Sequence, residues 1–154
     1  MSDDDQYRPA QNQIRFKIEN QTSFDLEPQG SYDYFGEFIE NPSEIKPNSS
    51  DSAGHIMGGR FGGSAGMVGY KITGDSETLY LRFLATNPIL SAKDNDTNSA
   101  ILDNDAGIDK SNYNLLLGSE KRHDARSFNG GTLMVHSMMG QRDDATATFT
   151  ITFN

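Results

Sequence analysis

Apolar and polar positions alternate with a period of two through much of this chain, most clearly from Ser64 to Pro88. In Met67–Thr73, Val68, Tyr70 and Ile72 point one way, and Lys71 and Thr73 the other. Gly74-Asp75-Ser76 is polar and led by glycine, as a reversing turn requires. In Thr78–Leu84, Leu79, Leu81 and Phe83 share one face, with Thr78, Tyr80 and Arg82 opposite. Pro88 ends the run because proline cannot donate to a ladder. The pattern predicts an antiparallel hairpin at the centre of the sheet structure.

The same alternation recurs elsewhere. Gln13–Asn20 places Ile14, Phe16 and Ile18 on one side and Arg15, Lys17 and Glu19 on the other. Phe24 and Leu26 continue it until Pro28, and Gln29-Gly30-Ser31 reads as a turn. Tyr32–Ile39 is an aromatic strand, with Gly36 marking a bulge. Asn41–Ser50, with two prolines, is a long turn, and Asp51–Met57 a further strand. Ser91–Asp109, rich in Asp and Asn, reads as a surface loop. Asn112–Leu117 reads as a short strand, and Gly118–Gly131 as polar connection. Thr132–Met139 and Ala145–Phe153 form a closing hairpin. The last strand has Ala145, Ala147, Phe149, Ile151 and Phe153 on one face and four threonines on the other. No stretch holds a 3.6-residue apolar period. The predicted fold is an all-β, single-domain antiparallel β-sandwich over 13–154, preceded by a flexible acidic arm, 1–12.

Composition narrows the function classes. The 154 residues suit one domain with a core of its own. With no cysteine, disulfides and thiolate chemistry are excluded. A formal net charge of -9 argues against a phosphate-tracking nucleic-acid binder and against simple attraction to anionic lipid. The first residues lack the basic start and apolar run of a secretory signal. The expected location is cytoplasmic, or secreted without a classical signal peptide and peripheral on target membranes.

Four features come in a telling order: an opening strand ending in IENQTSFDL, the proline-flanked NPSEIKPNSS, a Ser-Ala-Gly leading GMVGYKI and TLYLRF, and the terminal ATATFTITF. From Ile14 to Phe153 this order resembles the aegerolysin family and, more loosely, the actinoporin-like β-sandwich cytolysins. The resemblance implies a lipid-recognising sandwich that acts on a membrane lipid surface. It also implies that lysis needs a larger, perforin-like pore-forming partner. Aegerolysins usually carry tryptophans near the lipid-binding face. This chain has none, so the choice of lipid does not carry over.

Without tryptophan, the candidate lipid- or ligand-binding residues are Tyr32, Tyr34, Phe35 and Phe38, with Arg60 and Phe61 of the glycine-dense Gly58–Gly66 stretch. A mixed sorting is expected, with Tyr34 and Phe38 inside and Tyr32 and Phe35 outside. Asp94, Asp96, Asn98 and Asp105 are candidate calcium ligands. Their spacing is like that of an EF-hand loop, but Ser99 stands at the required glycine and Asp105 at the bidentate glutamate. His55, His123 and His136 are too scattered for a local metal motif. No nucleophile-elbow, phosphate-loop or metalloprotease motif occurs, so the protein is expected not to be an enzyme. Two other readings stand beside lipid recognition. One is a lectin-like module, with or without calcium. The other is a structural protein that acts as a homo-oligomer.

Overall fold

Ile14, Phe16 and Ile18 are essentially inaccessible to solvent, and they belong to the strand around which the larger sheet is built. The computed structural model describes residues 12–59, 62–88, 94–119 and 121–154. Its strands are β1 (Gln13–Gln21), β2 (Leu26–Phe35), β3 (Glu37–Glu40), β4 (Ser49–Met57), β5 (Ser64–Thr73), β6 (Thr78–Asn87), β7 (Asp96–Leu102), β8 (His123–Phe128), β9 (Gly131–Met139) and β10 (Asp144–Phe153). One helix, α1 (Lys110–Ser119), lies between β7 and β8. A six-stranded sheet has the order β3-β4-β1-β10-β9-β8, and a four-stranded sheet the order β2-β5-β6-β7. The β5–β6 hairpin is the centre of the smaller sheet, and β9–β10 forms the closing hairpin. Both agree with the alternation in the sequence.

The first and last strands run parallel at the middle of the larger sheet. Their register opposes Ile14 to Ala145, Phe16 to Ala147 and Ile18 to Phe149, so two apolar rows turn inward together. From the other sheet, Val68, Tyr70, Ile72, Leu79, Leu81 and Phe83 meet them. Phe149 packs against Phe83 at 4.7 Å and Phe16 at 6.1 Å between ring centroids. This inter-sheet layer is the main core.

The smaller sheet is also covered on its outer side, which alternation alone does not foretell. Met67, Leu84 and Ala65 form a second buried cluster with Tyr113 and Leu116 of α1. Asn112–Leu117 is therefore helical rather than extended. Asp109 caps the helix, its carboxylate accepting from the Asn112 amide at 2.9 Å. At the far end, the buried Asn98 of β7 donates to the carbonyls of Leu116 and Leu117. Three more expectations are corrected. Part of the Ser91–Asp109 loop is strand β7, and part of Gly118–Gly131 is strand β8. The Gln29-Gly30-Ser31 turn is instead the middle of β2. Pro28 is tolerated there because β2 is an edge strand, and a register shift follows it.

Gly36 does more than bulge a strand. It has a φ of 84° and joins β2 of one sheet to β3 of the other. A Cβ here would collide with the Met57 carbonyl. Phe38, just past this corner, turns inward onto Phe16 at 5.7 Å. Its ring occupies a notch cut by two glycines. A Cβ on Gly54 would lie 3.1 Å from it, and one on Gly66 2.9 Å.

At the same end, buried amides tie the connections together. Asn87, 2% exposed, donates to the carbonyls of Gln13 (3.0 Å), Arg142 (3.1 Å) and Asp143 (2.8 Å). Asn95 donates to the carbonyls of Gly140 and Arg142, and Gln141 reaches back to the Asn95 carbonyl at 2.9 Å.

Two stability tests follow. Phe38→Ala is expected to cost about 2 kcal/mol in urea unfolding, less than the roughly 3–5 kcal/mol of a fully enclosed phenylalanine. An unchanged midpoint would return Phe38 to the surface. Asn87→Ala strands several carbonyls at once, with an expected cost of about 1–3 kcal/mol. A neutral result would show that water replaces the amide.

Candidate functional site

The strand register gathers one end of the sandwich. Gln13 opposes both Met57 and Asp144, Glu37 opposes Met57, Phe35 opposes Ala65, Ser64 opposes Asn87, and Thr86 opposes Asp96. The β2–β3 corner, the β4–β5 and β6–β7 connections and the β9–β10 turn therefore all emerge there, above the Asn87 and Asn95 clamps.

The aromatic run from β2 sits at this end, but not with the sorting expected. A register shift between Asp33 and Phe35 makes Tyr34 an extra residue against β5. The shift resets the side-chain direction. Tyr32 and Tyr34, two residues apart, both pack on the helix side of the smaller sheet, and Phe35, brought opposite Ala65 by the shift, comes out on that side with them. Tyr34 stacks on Tyr113 at 4.5 Å with the rings 13° apart, and Tyr32 lies 5.8 Å from the same ring. Tyr113 is only 1% exposed. Burial, with the neighbouring Tyr34 and Tyr32, pushes its hydroxyl well above the ordinary phenolic range. Phe35 makes an edge contact with Tyr34 at 4.7 Å and remains 58% exposed.

Of the six residues singled out as a lipid or ligand face, three converge: Tyr32, Tyr34 and Phe35. Phe38 belongs to the core. Arg60 and Phe61 lie outside the described residues. Sequence reasoning missed Tyr113, which supports the group. It also missed Leu115 (70% exposed) and Leu117 (39%) on the same helix and Ile39 (56%) beyond the corner. Asp109 as a cap before Tyr113, Leu116 and Leu117 was the available signal for the helix.

The four calcium candidates do not converge. Asp96 accepts from Arg122 at 3.0 Å and from the Thr97 amide. Asn98 is buried and holds the end of α1. Asp105 accepts from the buried Arg82 at 3.2 Å. Asp94 stands apart, beside a groove. Asp96–Leu102 pairs with β6 as a strand and so does not form an EF-hand-like loop. Among the described residues, no three His, Cys, Asp or Glu side chains are grouped to hold a metal.

Among the described residues, two grooves open on the surface. One, of about 350 Å³, follows the β1–β4 register shift and is lined by Arg15, Lys17, Glu40, Asp51 and His55. There, burial and the Arg15 guanidinium hold the His55 imidazole below its ordinary value. The other, of about 460 Å³, lies between β7 and β9 and includes Asp94, Arg122, His123, His136, Met138 and Gln141. His123 and His136 stack across the strands with centroids 4.1 Å apart and planes 8° apart. The sequence separation of these two histidines hid a pair that the β8–β9 hairpin creates.

No family model matches the chain, and no curated protein is similar to it in sequence. The solved structures do show a likeness. The lipid binding protein Nakanori is similar over 97% of this chain and 74% of its own, with a TM-score of 0.71 at 14% identity. The wild-type Xerocomus chrysenteron lectin XCL is similar over 92% of this chain and 99% of its own, with a TM-score of 0.56 at 8% identity. A mutated form of that lectin gives a TM-score of 0.54. The chain thus has the β-sandwich fold found in a lipid-binding protein and a lectin, consistent with the resemblance to the aegerolysin family drawn from the sequence.

Proposed function

We propose that this protein recognises a membrane lipid surface with the Tyr32–Tyr34–Phe35 corner and the adjoining face of α1. The observation that carries the reading is Phe35. It is a large apolar side chain left mostly in water, yet braced by a tyrosine stack whose base is buried. The likeness in fold to a lipid-binding protein supports it. A braced ring enters the interface without first losing much side-chain freedom. The two tyrosines combine an apolar body with a polar edge, which suits the headgroup layer. A net charge of -9 leaves little attraction to anionic lipid, so zwitterionic headgroups are the favoured surface. Among the described residues, no helix is long and apolar enough to cross a membrane. On this reading the chain selects the membrane, and lysis is the work of a larger pore-forming partner.

The test is co-sedimentation with phosphatidylcholine vesicles in which sphingomyelin and sterol are varied, with calcium present or chelated. Selective binding that is indifferent to chelation is expected. At roughly 150–250 Å² for an aromatic side chain, a Phe35 that is 58% exposed offers about 100 Å² to the interface. At ~25 cal/mol per Å² this is about 2–3 kcal/mol, so Phe35→Ala should weaken binding by roughly 30- to 150-fold with an unchanged unfolding midpoint. Binding to none of the compositions would refute the proposal.

A glycan-binding reading has its own support, in the likeness to a lectin and in the groove along β1 and β4. Glu40 and Asp51 would accept from sugar hydroxyls there, and Arg15 and Lys17 would donate. Binding on a glycan array that Asp51→Ala abolishes and Phe35→Ala leaves intact would establish it in place of lipid recognition. An array without hits would remove it.

A further inference from the structure

Three of the chain's six methionines and two of its three histidines fall within β8 and β9. Along β9, Met134, His136 and Met138 occupy alternate positions on the outer face, and all three are exposed. Met138 is 64% and Met134 43% exposed, an uncommon place for apolar side chains. His123 of β8, also exposed, stands directly opposite His136. On the other flank, β10 presents Thr148, Thr150 and Thr152 opposite Met138, His136 and Met134. These short side chains leave the row uncovered.

We infer that His123, His136 and Met138 form a binding site for a soft monovalent cation, copper(I), with Met134 as an alternative thioether on the far side of His136. Directly opposed residues on antiparallel strands have Cβ atoms about 4.5–5.5 Å apart, so exposed imidazoles there can each turn a nitrogen toward a common ion. Same-face neighbours two residues along a strand are about 6.5–7 Å apart, within reach of a methionine's flexible, unbranched side chain. Two imidazoles and a thioether are a ligand set that suits copper(I). Calcium and magnesium take oxygen ligands and do not fit the same positions. The charged neighbours are compatible with a cation. Arg122 is paired with Asp96 at 3.0 Å, and Asp94 adds a carboxylate to the groove beside the histidines.

Cross-strand stacking of two imidazoles has a purely structural reading, so the experiment must read the metal itself. The full chain would be titrated with copper(I) under anaerobic, reducing conditions against bicinchoninate as a competing chelator. One copper(I) per chain is expected. His136→Asn and Met138→Leu should each lower the affinity by more than about tenfold, the smaller loss usual for disturbing a metal's outer shell. Both positions are exposed, so thermal unfolding of the metal-free variants should match the parent. In ¹³C-methyl spectra, Met138 should shift on titration while the buried Met67 does not. Failure to compete with the chelator would overturn the assignment. So would an affinity unchanged in the His123→Asn/His136→Asn double variant. Zinc(II) binding of equal strength, insensitive to Met138→Leu, would overturn the choice of copper(I).

Discussion

A guanidinium held out of water determines how the outer half of the molecule is built. Arg82 projects from the central hairpin on the side away from the main core, and it is only 2% exposed. Its donors reach Gln29 Oε1 at 2.9 Å, the Leu81 carbonyl at 3.0 Å, the Asp105 carboxylate at 3.2 Å and the Ala106 carbonyl. Its Nε has no partner among the described residues. Burial depresses its pKa, and Asp105 works against that depression. A buried charge needs such partners, and two of them, Asp105 and Ala106, lie on the segment between β7 and α1. That segment must therefore close over the sheet. Closing it seats Ile108 against Gly69, where any Cβ would collide with the Ile108 side chain, and brings Asp109 to the start of α1. The helix then supplies Tyr113, Tyr113 supports Tyr34, and Phe35 projects beyond them. The exposed corner is the last link of a chain of contacts that begins at one arginine.

The inner architecture was legible because each strand facing the main core keeps one wet face or one tidy apolar row. The rows of Ile14 to Ile18 and Ala145 to Phe153 in the sequence are the rows in the sheet. The outer cover was not legible. Arg82 and Tyr80 alternate with Leu79 and Leu81 as if facing solvent, and nothing local says that a distant segment will bury Arg82. The Leu115-Leu116-Leu117 run is too short to separate a buried helix from a strand by period alone. Asn95 and Asn98 are residue types expected in loops, yet each is buried here because its amide meets carbonyls from other elements.

The candidate site was legible as composition and not as geometry. An aromatic cluster was evident between Tyr32 and Phe38, but its sorting depended on one inserted residue. The shift at Tyr34 and the sheet change at Gly36 sent three rings outward and Phe38 inward. The likeness to a lipid-binding protein and to a lectin at such low identity belongs to the scaffold, which supports more than one kind of surface. What distinguishes this chain is a corner built from tyrosine and phenylalanine, with no tryptophan anywhere in the sequence.

The parallel pairing of β1 with β10 also bears on the order of folding. The two strands that share the middle of the larger sheet are separated by almost the whole chain. Contacts so distant in sequence close slowly, since a long loop must be organised before they form. As the chain leaves the ribosome, the row of Ile14, Phe16 and Ile18 can find β4 early, but its other edge stays open until the final strand has been made. The larger sheet therefore cannot be complete before β10 has been made.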